Sequence, residues 1–192
     1  METTILSILK ETGALLEGHF LLSSGKHSNQ YIQCARALRY PWHAEQIIKI
    51  VCEKIKNLKD INIIVGPAIG GIITSYEMGR QLGLESIFTE RIDRKVTLRR
   101  GFTVKKGTNV LISEDVITTG KSTLEVRDIM QEMGANVLGV ACIVDRRPEK
   151  KDIGMKIYSG IQIDIDIYDE KECPLCKQGS KPVKPGSREF KR

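Results

Sequence analysis

Apolar positions along this chain switch repeatedly between helical and extended periods. Ile5, Ile8 and Leu9 recur at helical spacing and stop before Gly13, predicting a short amphipathic helix that packs as a lid or dimer element. The stretch from Gly18 to Ser28 leads into Gln30–Cys34, two extended runs joined by a Ser/Gly turn that carries Lys26 and His27; a hairpin is expected. Ala44, Ile48, Val51 and Ile55 then line one face of a helix ending near Asn57. Asn62–Val65 predicts a strand, and Gly66-Pro67-Ala68-Ile69-Gly70-Gly71 a glycine-rich turn into a helix that stops at Gly83.

The next strand is Ser86–Thr89. From Arg91 to Lys106 no helical period survives, but Val96–Leu98 and Gly101–Val104 alternate as the two arms of a mobile basic hairpin, a lid over a site. Val110, Leu111 and Ile112 form a buried strand, followed at once by Glu114 and Asp115, a small-residue turn at Thr118-Thr119-Gly120-Lys121-Ser122, and a helix with Val126, Ile129, Met130 and Met133 on one face. Val137–Val144 reads as a fully buried strand ending at Asp145-Arg146-Arg147-Pro148, where two guanidiniums could clamp a carboxylate. Ile161, Ile163, Ile165 and Ile167 alternate with Gln162, Asp164 and Asp166 as one edge strand, and from Glu172 onward Pro, Gly, Lys and Ser predict a loosely held tail.

This alternation predicts an α/β fold, a parallel sheet flanked by helices with a small N-terminal hood, and ligands at the carboxyl ends of the strands. The expected organisation is a helix and hood over residues 1–40, a core over 41–170 containing the lid 91–106, and a basic tail over 171–192.

Composition changes this picture little. A chain of 192 residues, 41% hydrophobic and 28% charged, suits one globular α/β core. No signal-like segment opens it and no window approaches the roughly 18 apolar residues of a membrane span, so a soluble, cytoplasmic protein without a membrane partner is expected. Charge is more informative. Of the net +6, residues 91–106 carry +6 and residues 171–192 carry +5, which leaves −5 for everything else. Basicity that local suits a polyanionic small molecule, and with 5% aromatic residues nucleic acid is not the expected partner. Five cysteines, an odd number scattered through apolar segments, fit reduced thiols. Cys173-Pro174-Leu175-Cys176 is a single CxxC with neither a second pair nor a neighbouring His along the chain, so a local structural role or a disulfide is expected there rather than a zinc site.

The chemistry concentrates at residues 110–123. The first amides of a helix lack internal partners and lie at the positive end of its dipole, so the turn at Thr118–Ser122 can seat a phosphate. Gly120 permits close backbone approach, the hydroxyls add donors and Lys121 a cation, while Glu114 and Asp115 can accept bonds from sugar hydroxyls. A nucleoside-triphosphate loop would need glycine where Asp115 stands, and residues 66–71 lack the spacing of a dinucleotide fingerprint. What remains, an aliphatic run, two acids, Val116 and Ile117, then TTG, resembles the phosphoribosyl-pyrophosphate signature of the type I phosphoribosyltransferases.

With the Phe20–Ser28 hairpin, the basic loop and Asp145-Arg146 added, residues 1–170 resemble the orotate phosphoribosyltransferases of that family. The resemblance implies transfer of the phosphoribosyl group of phosphoribosyl pyrophosphate to N1 of orotate, giving orotidine 5′-phosphate and pyrophosphate in de novo UMP synthesis. It also implies Mg²⁺ held mainly by substrate rather than directly by protein, and a homodimer whose lid serves the neighbouring subunit. Carried onto this chain, it makes Asp115 and Lys95 catalytic. Arg91, Lys95, Glu114, Asp115, Val116, Ile117, Thr118, Thr119, Gly120, Lys121 and Ser122 become the phosphoribosyl-pyrophosphate site, and Thr118 and Arg146 the orotate site. Ser23 and Gly70 stand where many members have Lys, and Ile92 and Thr97 where others carry Lys and His, which leaves Lys26, Arg94, Arg99 and Arg100 as candidate substitutes. The alternatives are a purine or xanthine phosphoribosyltransferase, or an RNA-binding regulator on the same fold.

Overall fold

The computed structural model describes residues 2–22, 24–93 and 95–185. In chain order its elements are α1 (Glu2–Glu11), β1 (Leu15–Leu21), β2 (His27–Ile32), α2 (Ala35–Leu38), α3 (Pro41–Ile55), β3 (Ile63–Pro67), α4 (Gly70–Leu82), β4 (Glu85–Ile92), β5 (Lys95–Leu98), β6 (Asn109–Ile117), α5 (Lys121–Glu132), β7 (Asn136–Asp145), β8 (Ile157–Gln162), β9 (Ile167–Tyr168) and α6 (Pro174–Lys177). The main sheet runs β5-β4-β3-β6-β7-β8, parallel throughout except for the antiparallel edge strand β5, and a second sheet, β1-β2-β9, forms the hood. Parallel strands buried on both faces need near-continuous apolar runs, and β6 and β7 supply them: Val110, Leu111, Ile112, Ile143 and Val144 have no measurable exposure. The expected α/β architecture is therefore the observed one.

Helices cover each face with its own cluster. On one side α1 and α3 contribute Ile5, Leu9, Ile47, Ile48 and Val51; on the other α5 contributes Val126 and Met130 beneath β6 and β7. The N-terminal helix thus packs its apolar face into the core rather than standing over the site as a lid. Gly160 of β8 shows why: a Cβ there would lie 2.6 Å from Ile5 Cδ1, so the glycine admits the helix against the strand.

Three further expectations give way. The alternating isoleucines do not form one edge strand: β8 ends at Gln162, the chain crosses over, and Ile167 joins the hood opposite Ser28. Period-2 patterning could not distinguish one long strand from two short ones on different sheets. The basic loop does form a hairpin, but Thr89–Ile92 of β4 pairs with Lys95–Leu98, while Val104 turns into the core and Phe102 packs edge-on to Phe88 at 5.3 Å. The segment that follows Glu172 is not loose up to residue 185. Cys173 is fully buried, and Val183 bonds the hood through Leu21 N–H to Val183 O and Val183 N–H to His19 O, both 2.8 Å. The CxxC is also not remote from histidine, since His19 and His27 of the hood lie against Cys173 and Cys176, all with free thiols.

Candidate active site

Strand β6 delivers its two acids to opposite faces, as period-2 geometry requires, and their surroundings differ. Asp115 lines a cavity of about 540 Å³ together with Val116, Thr118 and Thr119 from the turn, Arg146 and Pro148 beyond β7, and Leu22, Tyr31, Gln33 and Cys34 from the hood side. Burial raises the Asp115 carboxyl above its ordinary range, against the lowering effect of backbone amides at Val116 and at Asp115 itself. Gly70 sits directly against it: a Cβ at 70 would lie 2.4 Å from the Asp115 carboxyl carbon. The family lysine missing at that position would collide with this carboxylate.

Glu114 points the other way. It is 5% exposed and accepts bonds from Ser122 Oγ at 2.7 Å and Thr123 Oγ1 at 3.3 Å, which pins the first turn of α5 to β6. Burial, partly opposed by those hydroxyls, pushes its pKa up to about 7. The expected pair of sugar-holding carboxylates is therefore divided, with Asp115 in the cavity and Glu114 behind it. The Ser122 hydroxyl, expected on phosphate, is committed to Glu114 for the same reason.

The turn itself has the expected build. Gly120 adopts φ +74°, and a Cβ there would meet Ile153 Cγ2 at 3.0 Å, so conformation and space both call for glycine. Thr118, Thr119 and Lys121 are exposed at the amino end of α5, while Ile117 is buried and serves the core. The other glycine-rich turn, after β3, is committed to packing. A Cβ at Gly66 would lie 2.0 Å from Gly71 O, and the Ala68 amide donates to Thr89 O at 2.8 Å.

Beyond β7 the two arginines separate. Arg147 makes two 2.9 Å bonds to Asp145, which hold that carboxyl below its ordinary range despite burial, and it also reaches Lys151 O. It is not half of a carboxylate clamp. Arg146 is half-buried beside the cavity, and its buried Nε–H has no acceptor among the described residues. Desolvation lowers its pKa, with nearby Tyr31 acting in the opposite direction. A guanidinium N–H left in that state is costly unless a ligand supplies the acceptor.

Among the described residues, the lid cations Arg91, Lys95 and Arg100 do not line this cavity in their own chain. Arg91 pairs with Glu125 on α5, and Lys95 borders a shallow depression with Val96, Glu125, Asp128 and Ile129 on the outer side of that helix. Arg100 is held by Glu90 at 2.8 and 3.0 Å over the Phe88 ring, and Lys26 pairs with Asp169 at 3.2 Å. Ser23 and Arg94 lie outside the described residues. The hood residues Leu22, Tyr31, Gln33 and Cys34 were missed by sequence reasoning. Only the alternation of β2 could have flagged Tyr31, and nothing local shows which face of a hairpin meets the sheet.

Comparison with known proteins agrees with this geometry. Residues 42–175 match the family of the phosphoribosyl transferase domain. A protein of Caldanaerobacter subterraneus subsp. tengcongensis, named orotate phosphoribosyltransferase, is 46% identical over 186 residues, 97% of either chain. The crystal structure of orotate phosphoribosyltransferase from Aeropyrum pernix superposes with a TM-score of 0.71 at 22% identity, covering 83% of this chain and 93% of that one. The adenine phosphoribosyltransferase of Rhodothermus marinus gives 0.66 at 16% identity over 84% and 99%, so the fold alone does not choose the base. Extended similarity over nearly the whole length, with the acid pair and TTG turn at the sheet's carboxyl edge, places this chain in the phosphoribosyltransferase family, among the orotate phosphoribosyltransferases.

Proposed function

We propose that this protein transfers the phosphoribosyl group of phosphoribosyl pyrophosphate to N1 of orotate, giving orotidine 5′-phosphate and pyrophosphate. The observation that carries the choice of base is Arg146: a buried guanidinium N–H without an acceptor, facing a cavity whose other polar lining includes Asp115, Thr118 and Thr119. A carboxylate on the base offers that cationic donor an anionic acceptor and so an ion pair as well as a hydrogen bond, whereas a purine offers only neutral ring-nitrogen and carbonyl acceptors.

The chain's own groups account for the rest. The amino end of α5 and the exposed Thr118, Thr119 and Lys121 hold the 5-phosphate, and Asp115 accepts bonds from the ribose hydroxyls beside it. As the bond from the anomeric carbon to pyrophosphate breaks, its electron pair leaves with pyrophosphate and the sugar gains oxocarbenium character, which the Asp115 carboxylate favours electrostatically. Orotate N1, oriented by Arg146, bonds to that carbon and releases its N–H proton to water or to the departing pyrophosphate. Glu114 acts as a positioning residue that fixes the phosphate turn through Ser122 and Thr123.

Asp115 is the one carboxylate among the residues lining the cavity, and with the Thr118 and Thr119 hydroxyls it offers hard oxygens but no multidentate cage, which fits Mg²⁺ held mainly by substrate. When bound, Mg²⁺ neutralises charge on the departing pyrophosphate. A homodimer is the proposed assembly. Ile69, Ile73 and Tyr76 are 79%, 38% and 70% exposed on and just before α4, and Lys95 and Arg91 stand away from their own cavity, as groups serving a second copy would. No helix among the described residues is long and apolar enough to cross a membrane.

The test is a spectrophotometric assay offering orotate, uracil, hypoxanthine and adenine in turn with phosphoribosyl pyrophosphate. Consumption of orotate alone is expected. Turnover of a purine with orotate untouched would sink the assignment.

A further inference from the structure

Four side chains that the transfer reaction does not use converge where the hood meets the C-terminal segment. His19 comes from β1, His27 from the start of β2, and Cys173 and Cys176 flank the first residues of α6. One ligand atom from each lies within 4.8 Å of every other, and His19, His27 and Cys173 are buried. We infer that these residues form a structural Zn²⁺ site of the Cys₂His₂ type, which fastens the C-terminal segment onto the hood.

The distances suit a shared tetrahedral ion. Bonds of about 2.0–2.1 Å to nitrogen and about 2.3 Å to sulfur put ligand atoms roughly 3.4 Å apart for two nitrogens and roughly 3.6 Å apart for nitrogen and sulfur. Here His19 Nε2 lies 2.9 Å from His27 Nδ1, three of the four nitrogen–sulfur separations are 3.5, 3.8 and 3.3 Å, and the remaining pairs lie within 4.8 Å. The outer nitrogen of His19 supports this. Its Nδ1 lies 3.0 Å from Ser180 O, an acceptor only, so Nδ1 carries the proton and Nε2 turns its lone pair inward.

That assignment leaves Nε2 as an acceptor in a buried place, with His27 Nδ1 and the two cysteine sulfurs converging on it, and a shared cation satisfies all four atoms at once. A divalent ion with two thiolates and two neutral imidazoles has no net charge, so the whole group can be buried cheaply. Two sulfurs and two nitrogens in tetrahedral disposition favour zinc among the common divalent metals. The C-x₂-C spacing at 173 and 176 is that of structural zinc ligands; the histidines escape any linear motif because the hairpin, not the sequence, brings them together.

The consequence follows from topology. The turn after β1 contributes Leu22 and Ser24 to the cavity wall, and β9, just before the cysteines, contributes Ile167. An ion binding hairpin and tail together holds that wall in place from the far side, without touching substrate.

The experiment is metal analysis of the full chain, purified under reducing conditions without chelator, by inductively coupled plasma mass spectrometry. About one zinc per chain is expected, falling below about one tenth in the Cys173→Ser/Cys176→Ser double variant. Replacement by Co²⁺ should give the visible absorption of a tetrahedral thiolate site, and chelation should lower the melting temperature by more than about 5 °C. Wild-type chain that carries no stoichiometric zinc and shows no such absorption with Co²⁺ would overturn the inference, whatever the variant does. So would an intact mass two daltons low from a Cys173–Cys176 disulfide, or stoichiometric iron in place of zinc.

Discussion

The two walls of the cavity reach the same space by different routes. The inner wall, Asp115 to Thr119 on β6 and its turn, is continuous in sequence and braced by bonds spanning eight or nine residues, from Ser122 and Thr123 to Glu114. The outer wall is assembled from remote parts. Ser28 Oγ bonds Asp166 O across 138 residues, and His19 meets Ser180 and Cys173 across 161 and 154. A wall made of one strand and the helix after it forms when those elements form; a wall stapled from distant segments is complete only when the whole chain has folded. Damage to the first should therefore appear in chemistry, and damage to the second in base affinity and stability.

The most severe test of that division is Asp115→Asn. Loss of the carboxylate should lower kcat/KM by about a thousand-fold, about 4 kcal/mol of transition-state stabilisation, with the melting temperature unchanged or raised, because burial already disfavours the charged form. A variant retaining a tenth of wild-type activity would remove Asp115 from its role. Arg146→Ala comes next. It should raise the orotate KM by roughly 30-fold or more, about 2 kcal/mol, while leaving the KM for phosphoribosyl pyrophosphate within about two-fold. Equal loss for both substrates would mean that Arg146 shapes the fold rather than reads the base.

Glu114→Gln addresses stability. The folded-state pKa of about 7 lies above the ordinary 4.5, so the native state holds the proton more tightly and the group's stabilisation is full at low pH. It is lost as pH rises through 7. Relative to wild type, the Gln variant should gain on the order of 2 kcal/mol between pH 5 and pH 8, read as diverging melting temperatures. Parallel curves at every pH would show that Glu114 titrates as an ordinary carboxylate.

For the outer wall, Ser28→Ala removes a hydroxyl placed between two carbonyls, Asp166 O at 2.8 Å and Gln30 O at 2.9 Å, with its single proton for one of them. About 1–2 kcal/mol of stability should go, with a several-fold rise in orotate KM and kcat near wild type. The smallest effect is expected at Arg100→Ala. This exposed pair with Glu90 is screened by solvent, so the melting temperature should barely move, and unchanged affinity for phosphoribosyl pyrophosphate would remove Arg100 from the list of substitutes for the missing family lysines.

What sequence reasoning recovered matches the same division. The inner wall was legible because Val110–Ile112, the acid pair, Thr118–Gly120 and the helix face of Val126 and Met130 are consecutive, and each has a local physical reason. What the local pattern did not separate were the surroundings of Glu114 and Asp115 and the placements of Ser122 and Ile117, which are set by neighbours on a strand facing opposite ways. The outer wall was largely illegible. Four alternating isoleucines gave no sign that the chain changes sheets after Gln162, and the CxxC looked solitary because its histidines lie more than 140 residues away. The lid cations were identified as residues but not as neighbours of α5, since Arg91 finds Glu125 only after β4, β5 and α5 have packed.

The sequence by itself determined the strand-turn-helix whose first amides are placed to seat a phosphate, the alternation that makes a parallel sheet, and the cationic stretch beside it. These depend on periodicity and on the first few amides of a helix, properties of neighbouring residues. Tertiary structure decided which acid enters the cavity, which arginine is left unpaired, that the N-terminal helix is core, and that two histidines and two cysteines meet. Those outcomes depend on which buried group meets which across the fold. Burial and hydrogen-bond satisfaction are set by the assembled surroundings, and no window along the chain contains them.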